Sequence, residues 1–154
     1  METTPIAIQD LYGGPYRHCF GCGADNVAGW HIKSYVQGEE VIAHYTPRPE
    51  YTGGVPEYLY GGLIAAILDC HGTAAAAAFY HHAQGFELGR EPLVRCVTGS
   101  LTVNYRKPTP MGQELELVAR CLSIEGRKVN LELGVRIGDT QYCDGAMLAV
   151  RVKE

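Results

Sequence analysis

The sequence predicts an α+β fold in which an antiparallel sheet wraps one long helix. Three observations predict it. Residues 61–82 form a single apolar, alanine-rich run, with Ala74 to Ala78 unbroken. Two short alternating segments precede that run. After it, alternating apolar and polar residues recur in segments separated by tight turns. Alternation over a strand length marks half-buried sheet, and short connections make consecutive strands antiparallel. Such a sheet needs another element to cover its apolar face, and the helix supplies it.

Taken in order, residues 1–29 are rich in glycine and carry Pro5 and Pro15, so they read as an irregular lead-in. Residues 30–36 and 41–45 alternate as strands about a turn at Gln37-Gly38-Glu39-Glu40. Residues 46–58 hold Pro47, Pro49, Gly53, Gly54 and Pro56 and read as a loop. Alanine is the strongest helix former, so 61–82 is helix, and Gly85 is its stop. His81 and His82 sit where positive charge complements the helix's negative pole. Residues 94–106 form a strand ended by Pro108 and Pro110. Strands through Leu115–Cys121 and Val129–Ile137 flank the Glu125-Gly126 turn, and Gly138-Asp139 leads into a last strand reaching Val152. Residues 30–154 are thus read as one domain, a size that buries a core without metal or disulfide.

A net charge of -4 argues against general nucleic-acid binding, which needs a basic footprint. Met1 to Pro5 lacks the basic start of a signal peptide, and Asp69, Cys70 and His71 interrupt the apolar run, so neither export nor a membrane span is expected. The six cysteines then read as reduced thiols of a cytoplasmic protein.

Two features carry chemistry. Gly61 and Gly62 open the long helix on bare backbone. Helix starts offer unpaired N–H groups to an anion or a polarised carbonyl. Asp69 is a carboxylate among Leu, Ile and Ala, a costly placement unless it has a partner or a task. Gly62 and Asp69 are seven residues apart, hence on one face but about 10 Å apart along the axis. One reacting carbonyl does not reach both. A two-fold copy with its helix antiparallel brings Asp69 of one chain to Gly62 of the other, so a dimer or a dimer of dimers is expected.

The motif Tyr60-Gly61-Gly62, six residues, Asp69, followed by Asn104-Tyr105-Arg106-Lys107-Pro108 and Gly112, resembles the hotdog-fold acyl-CoA thioesterases, in particular the phenylacetic-acid-degradation branch. The resemblance runs from about residue 30 to the C-terminus. It implies a hydrolase that cleaves acyl-CoA thioesters, with coenzyme A as part of the substrate and no other cofactor or metal. It implies Asp69 as base or nucleophile, Gly62 with Gly61 as oxyanion donors, Tyr60 as an orienting group, and Thr98 holding the attacking water or the Asp69 carboxylate. Strand propensity explains Thr98 equally well. The family's usual His is Tyr60 here, and a tyrosine does not titrate near neutral pH. Two alternatives stay open: a non-catalytic acyl-CoA binder, which that departure favours, and a dehydratase or hydratase, which the missing His disfavours.

Arg106, Lys107, Arg127 and Lys128 are candidates for the coenzyme A phosphates, although solvated hairpin tips explain them too. Tyr45, Tyr51, Tyr58, Tyr60 and Tyr80 either favour an aromatic or medium-length acyl group or serve as packing. His71 lies two residues from Asp69, so the two side chains face different ways and form no dyad. Cys70 reads as a small core residue. His18, Cys19 and Cys22, with His31, make half of a zinc signature, and a tight glycine-rich knuckle without metal fits the same residues.

Overall fold

The computed structural model describes residues 5–153. A 3-10 turn at Ile8–Leu11 leads to β1 (Ser34–Gln37), β2 (Glu40–Tyr45), α1 (Gly61–Ala83), β3 (Cys96–Tyr105), β4 (Leu115–Glu125), β5 (Lys128–Ile137) and β6 (Thr140–Arg151). All strand pairs are antiparallel, in the order β1-β2-β4-β5-β6-β3, and α1 lies against the sheet in the hotdog arrangement.

The alternation does the work expected of it. Leu115, Leu117 and Ala119 of β4, Val129, Leu131, Leu133 and Val135 of β5, and Cys143, Met147 and Ala149 of β6 are buried against the helix. The helix answers with Leu63, Ile64, Ile67, Leu68 and the Ala74–Ala78 run. Small residues let the sheet approach closely: a Cβ on Gly72 would sit 2.5 Å from Met147 Cε. By length and composition α1 is apolar enough to cross a membrane, contrary to the sequence expectation, but 72% of that window is buried within the fold.

The helix ends on Gly85 at φ 81°, where no side chain strains the backbone. Gly85 N–H donates to His82 O and Phe86 N–H to His81 O, the paired bonds of a Schellman cap. His81 departs from its expected role at a solvated pole. It is fully buried, with Nε2 donating to Glu87 O (2.9 Å) and its ring edge-on to Phe86.

The strand expected from residue 30 begins only at Ser34. His31 has φ 54°, which breaks extended geometry. Trp30 and Ile32 instead donate to Phe20 O and Gly21 O, so this stretch binds the lead-in to the domain. The lead-in itself packs, with Ile8, Gln9 and Tyr12 buried.

One buried polar chain fixes that packing. Gln9 Nε2 donates to Ser34 Oγ (2.9 Å), and Gln9 Oε1 accepts from Ser34 N–H (2.7 Å). Ser34 Oγ–H donates to His71 Nδ1 (2.8 Å), and His71 Nε2–H donates to Val41 O (3.0 Å). Every polar atom of the imidazole is satisfied in its neutral form, and burial pushes the His71 pKa down to about 4. Between that value and the ordinary 6.5, the unfolded chain binds the proton and the folded chain does not. The stabilisation is therefore complete above pH 6.5 and declines as pH falls toward 4, by about 3 kcal/mol in all. Denaturant unfolding from pH 7.5 to 4.5 should follow that decline in the wild type and a flatter course in His71→Gln. Parallel curves would contradict the assignment.

Candidate active site

The chain enters α1 on fixed backbone. Leu59 N–H donates to Thr109 O and Tyr60 N–H to Tyr51 O, both at 2.9 Å. Tyr60 is extended (φ -60°, ψ 121°) and caps the helix without a side-chain bond. Leu63 N–H returns to Tyr60 O at 3.1 Å. Among the described residues, the N–H groups of Gly61 and Gly62 have no acceptor. From the β3 end, Tyr105 Oη donates to Gly61 O (2.7 Å) and holds this turn in place.

Tyr60, where a His is usual for the motif, turns its ring back across Gly62. A Cβ on Gly62 would lie 2.5 Å from Tyr60 Cζ. The ring is 58% exposed and its hydroxyl has no bond among the described residues, so it can swing aside. Glycine at position 62 leaves room for the Tyr60 ring in this position and suits an approaching carbonyl.

Asp69 is half-buried two turns further along α1. Thr98 Oγ1 donates a short hydrogen bond to Asp69 Oδ1. Oδ2 has no partner among the described residues. Thr98 reaches the carboxylate because β3 bulges beside it: the register with β6 shifts between Thr98 and Ser100. A Cβ on the intervening Gly99 would sit 3.1 Å from Leu148 O, so glycine eases the bulge. His71 faces away into its own network, as its spacing predicts. The site therefore presents a carboxylate with one oxygen held and one available, and a pair of free backbone donors.

The four candidate phosphate-binding residues do not form one cluster within the chain. Arg106 and Lys107 follow Tyr105, which pairs with Cys143, whereas Lys128 pairs with Val150. Seven residues of β6 separate these points, about 23 Å. Arg106 is also committed to Asp144 (Nε to Oδ2 2.8 Å), which raises the guanidinium's pKa and lowers the carboxyl's. Arg127 donates to Arg151 O (3.1 Å). Lys107 and Lys128 are exposed. The tyrosines also disperse. Tyr51 accepts from Trp30 Nε1, and Tyr80 lies under Arg151, leaving Tyr58 and Tyr60 exposed near the helix start.

Sequence reasoning missed a partner of the Cys-x-x-Cys knuckle. The sulfurs of Cys19, Cys22 and Cys70 lie within 4.8 Å of one another, with Cys19 and Cys70 3.7 Å apart. His18 and His31 are not part of this group; His31 Nε2 instead donates to Asn26 O (2.5 Å). Cys70 is buried in the core as expected, yet its thiol meets the returning lead-in. The Cys70 thiol and the nearby N–H groups of Cys22 and Gly21 hold the Cys19 thiol down at about 5. Proximity to Cys19 and Cys22, together with burial, pushes Cys70 up. The legible signal was Gly21: its position allows no side chain, because a Cβ there would fall 2.4 Å from Cys70 Sγ.

Comparison with known proteins bears on this geometry. The family model for the thioesterase superfamily matches residues 57–143. A thioesterase superfamily protein from Shewanella loihica PV-4 is 39% identical, with a TM-score of 0.69, covering 94% of this chain and 99% of that one. Acyl-coenzyme A thioesterase THEM4 of Xenopus laevis is 28% identical over 116 residues, 73% of this chain. The chain spans 45% of that relative's length. The PaaI protein from the phenylacetic acid degradation operon of E. coli shares the fold, with a TM-score of 0.65 at 11% identity over 80% of this chain and 81% of its own.

Proposed function

The chain belongs to the thioesterase superfamily, and from that premise we propose that it hydrolyses acyl-coenzyme A thioesters to a free acid and coenzyme A. The observation that carries the reading is the Asp69 carboxylate, held at one oxygen by Thr98 on the helix that opens with free Gly61 and Gly62 N–H groups.

In this mechanism Asp69 Oδ2 takes a proton from water as the water oxygen bonds to the thioester carbonyl carbon. The carbonyl oxygen becomes an oxyanion and accepts from the Gly62 N–H, with Gly61 beside it. The tetrahedral intermediate collapses, the carbon–sulfur bond breaks, and coenzyme A leaves as a thiolate that recovers the proton. The named substrate of THEM4 supports acyl-CoA as the substrate class.

Gly62 and Asp69 of one chain are too far apart to meet one carbonyl, so the active unit is a dimer or a dimer of dimers. Among the described residues the outer edge of β3 has no partner strand, and a ten-residue open edge invites pairing. A two-fold copy that brings Gly62 to Asp69 also carries its Arg106 and Lys107 toward the sheet end that bears Arg127 and Lys128. In such a dimer the coenzyme A phosphates would meet Lys107 of one copy and Lys128 of the other, which one chain keeps apart.

Thiol release across acyl-CoAs of short, medium, long and aromatic acyl groups tests the activity. Turnover above the blank on at least one substrate is expected, and none on any would overturn the reading. Thr98→Val removes a charge-assisted hydrogen bond of about 1.5–3 kcal/mol. We expect kcat to fall about tenfold or more with little change in KM, and Thr98→Ser to restore most of it. The Tyr60 replacement favours one rival, a binder without turnover, which would keep acyl-CoA affinity and release no thiol.

A further inference from the structure

Three thiols from two parts of the chain converge, and the thioesterase reading does not use them. Cys19 and Cys22 lie on one knuckle of the lead-in, closed by Gly23 N–H to Cys19 O (2.7 Å). Cys70 comes from the middle of α1, immediately after Asp69. Their mutual spacing suits a metal. Four ligands at about 2.3 Å around a tetrahedral ion stand about 3.8 Å apart, and Cys19 Sγ and Cys70 Sγ are at 3.7 Å. A disulfide would join two of the three sulfurs at about 2.05 Å and leave the third without a role.

The knuckle is built for this convergence. Gly21 must lack a side chain for Cys70 Sγ to approach. A Cβ on Gly23 would lie 2.4 Å from Cys19 N and 2.5 Å from Arg17 O, backbone atoms that cannot yield. A Cβ on Gly29 would lie 2.3 Å from Phe20 O. Three glycines therefore hold the loop in one tight path that points two sulfurs at the helix.

We propose that Cys19, Cys22 and Cys70 bind one zinc ion, with the fourth position open on the exposed side of Cys19. Zinc suits this set because thiolates are soft ligands and the ion accepts tetrahedral coordination. Binding displaces the thiol protons, so the three sulfurs coordinate as thiolates. The ion clips the lead-in to α1 at Cys70, with water completing the tetrahedron, and takes no part in the hydrolysis. The site stands on this sulfur geometry and is independent of the thioesterase reading. It departs from the sequence expectation that the chain uses no metal.

Metal analysis of the full chain, purified reduced and without an affinity tag, tests it. About one zinc per chain is expected in the wild type and in Cys96→Ser, and little in Cys19→Ser or Cys22→Ser. Cys19 is exposed, so its variant should fold. Cobalt added to chelator-stripped wild type should give thiolate-to-metal charge-transfer absorption and tetrahedral visible bands, which Cys70→Ser weakens. Stripping should also lower the melting temperature of the wild type and leave that of Cys19→Ser unmoved. Reduced wild type that takes up neither zinc nor cobalt stoichiometrically would overturn the proposal. So would full zinc retention in a Cys19→Ser, Cys22→Ser double variant.

Discussion

Asp69→Asn is expected to lower kcat by about 10³-fold on the best acyl-CoA, with KM nearly unchanged. The change is close to isosteric. The Asn side-chain oxygen still accepts from Thr98 Oγ1, so the contact between β3 and α1 is kept and the fold should be intact. What is lost is the basicity of the second oxygen, which has no other partner among the described residues. Amide nitrogen there donates and cannot accept the proton of an attacking water. Steady-state thiol release with a parallel melting curve separates the two effects. Full turnover in a folded variant would remove Asp69 from the mechanism.

Gly62→Pro is expected to cost about 10²–10³ in kcat, the usual effect of deleting one oxyanion donor. Proline removes the N–H itself, which alanine would leave in place. It is tolerated in the first turn of a helix, where the N–H is unpaired. Here that N–H has no acceptor among the described residues, so no native backbone bond is broken. The ring does intrude on the space of Tyr60, but that side chain is 58% exposed and can move. Circular dichroism should therefore be unchanged while turnover falls. Wild-type kcat in this variant would place the oxyanion elsewhere.

The element order was legible because its signals are local. Alanine content fixes α1, period-two alternation fixes β4 to β6, and glycines at 85, 126 and 138 mark the turns with positive φ that end them. The start of β1 was misplaced because alternation continues through residues 30–33, while the positive φ of His31 and the bonds to Phe20 and Gly21 override it. His81 was placed by helix-dipole reasoning. The chain after Gly85 folds back over it, a tertiary contact that helix position does not report.

The candidate site was legible where two of its residues share one element. Gly62 and Asp69 lie on α1 at a spacing any reader can convert to distance. The Thr98 contact is harder, since it depends on a bulge that alternation conceals. The charge candidates show the limit most clearly. Arg106 with Lys107 and Arg127 with Lys128 look alike as basic hairpin pairs, yet strand register puts them at opposite ends of the sheet. Cys70 joined Cys19 and Cys22 only through the path of the lead-in, which its lack of periodicity left unread.

The shared site is tested most directly by mixed dimers that pair an Asp69→Asn chain with a Gly62→Pro chain, isolated through two different tags. If the acid and the donor come from different copies, one site of the mixed dimer carries both lesions and the other carries none, so about half of wild-type activity returns. If each chain forms its own site, every site carries one lesion, and the mixed dimer stays as inactive as its parents.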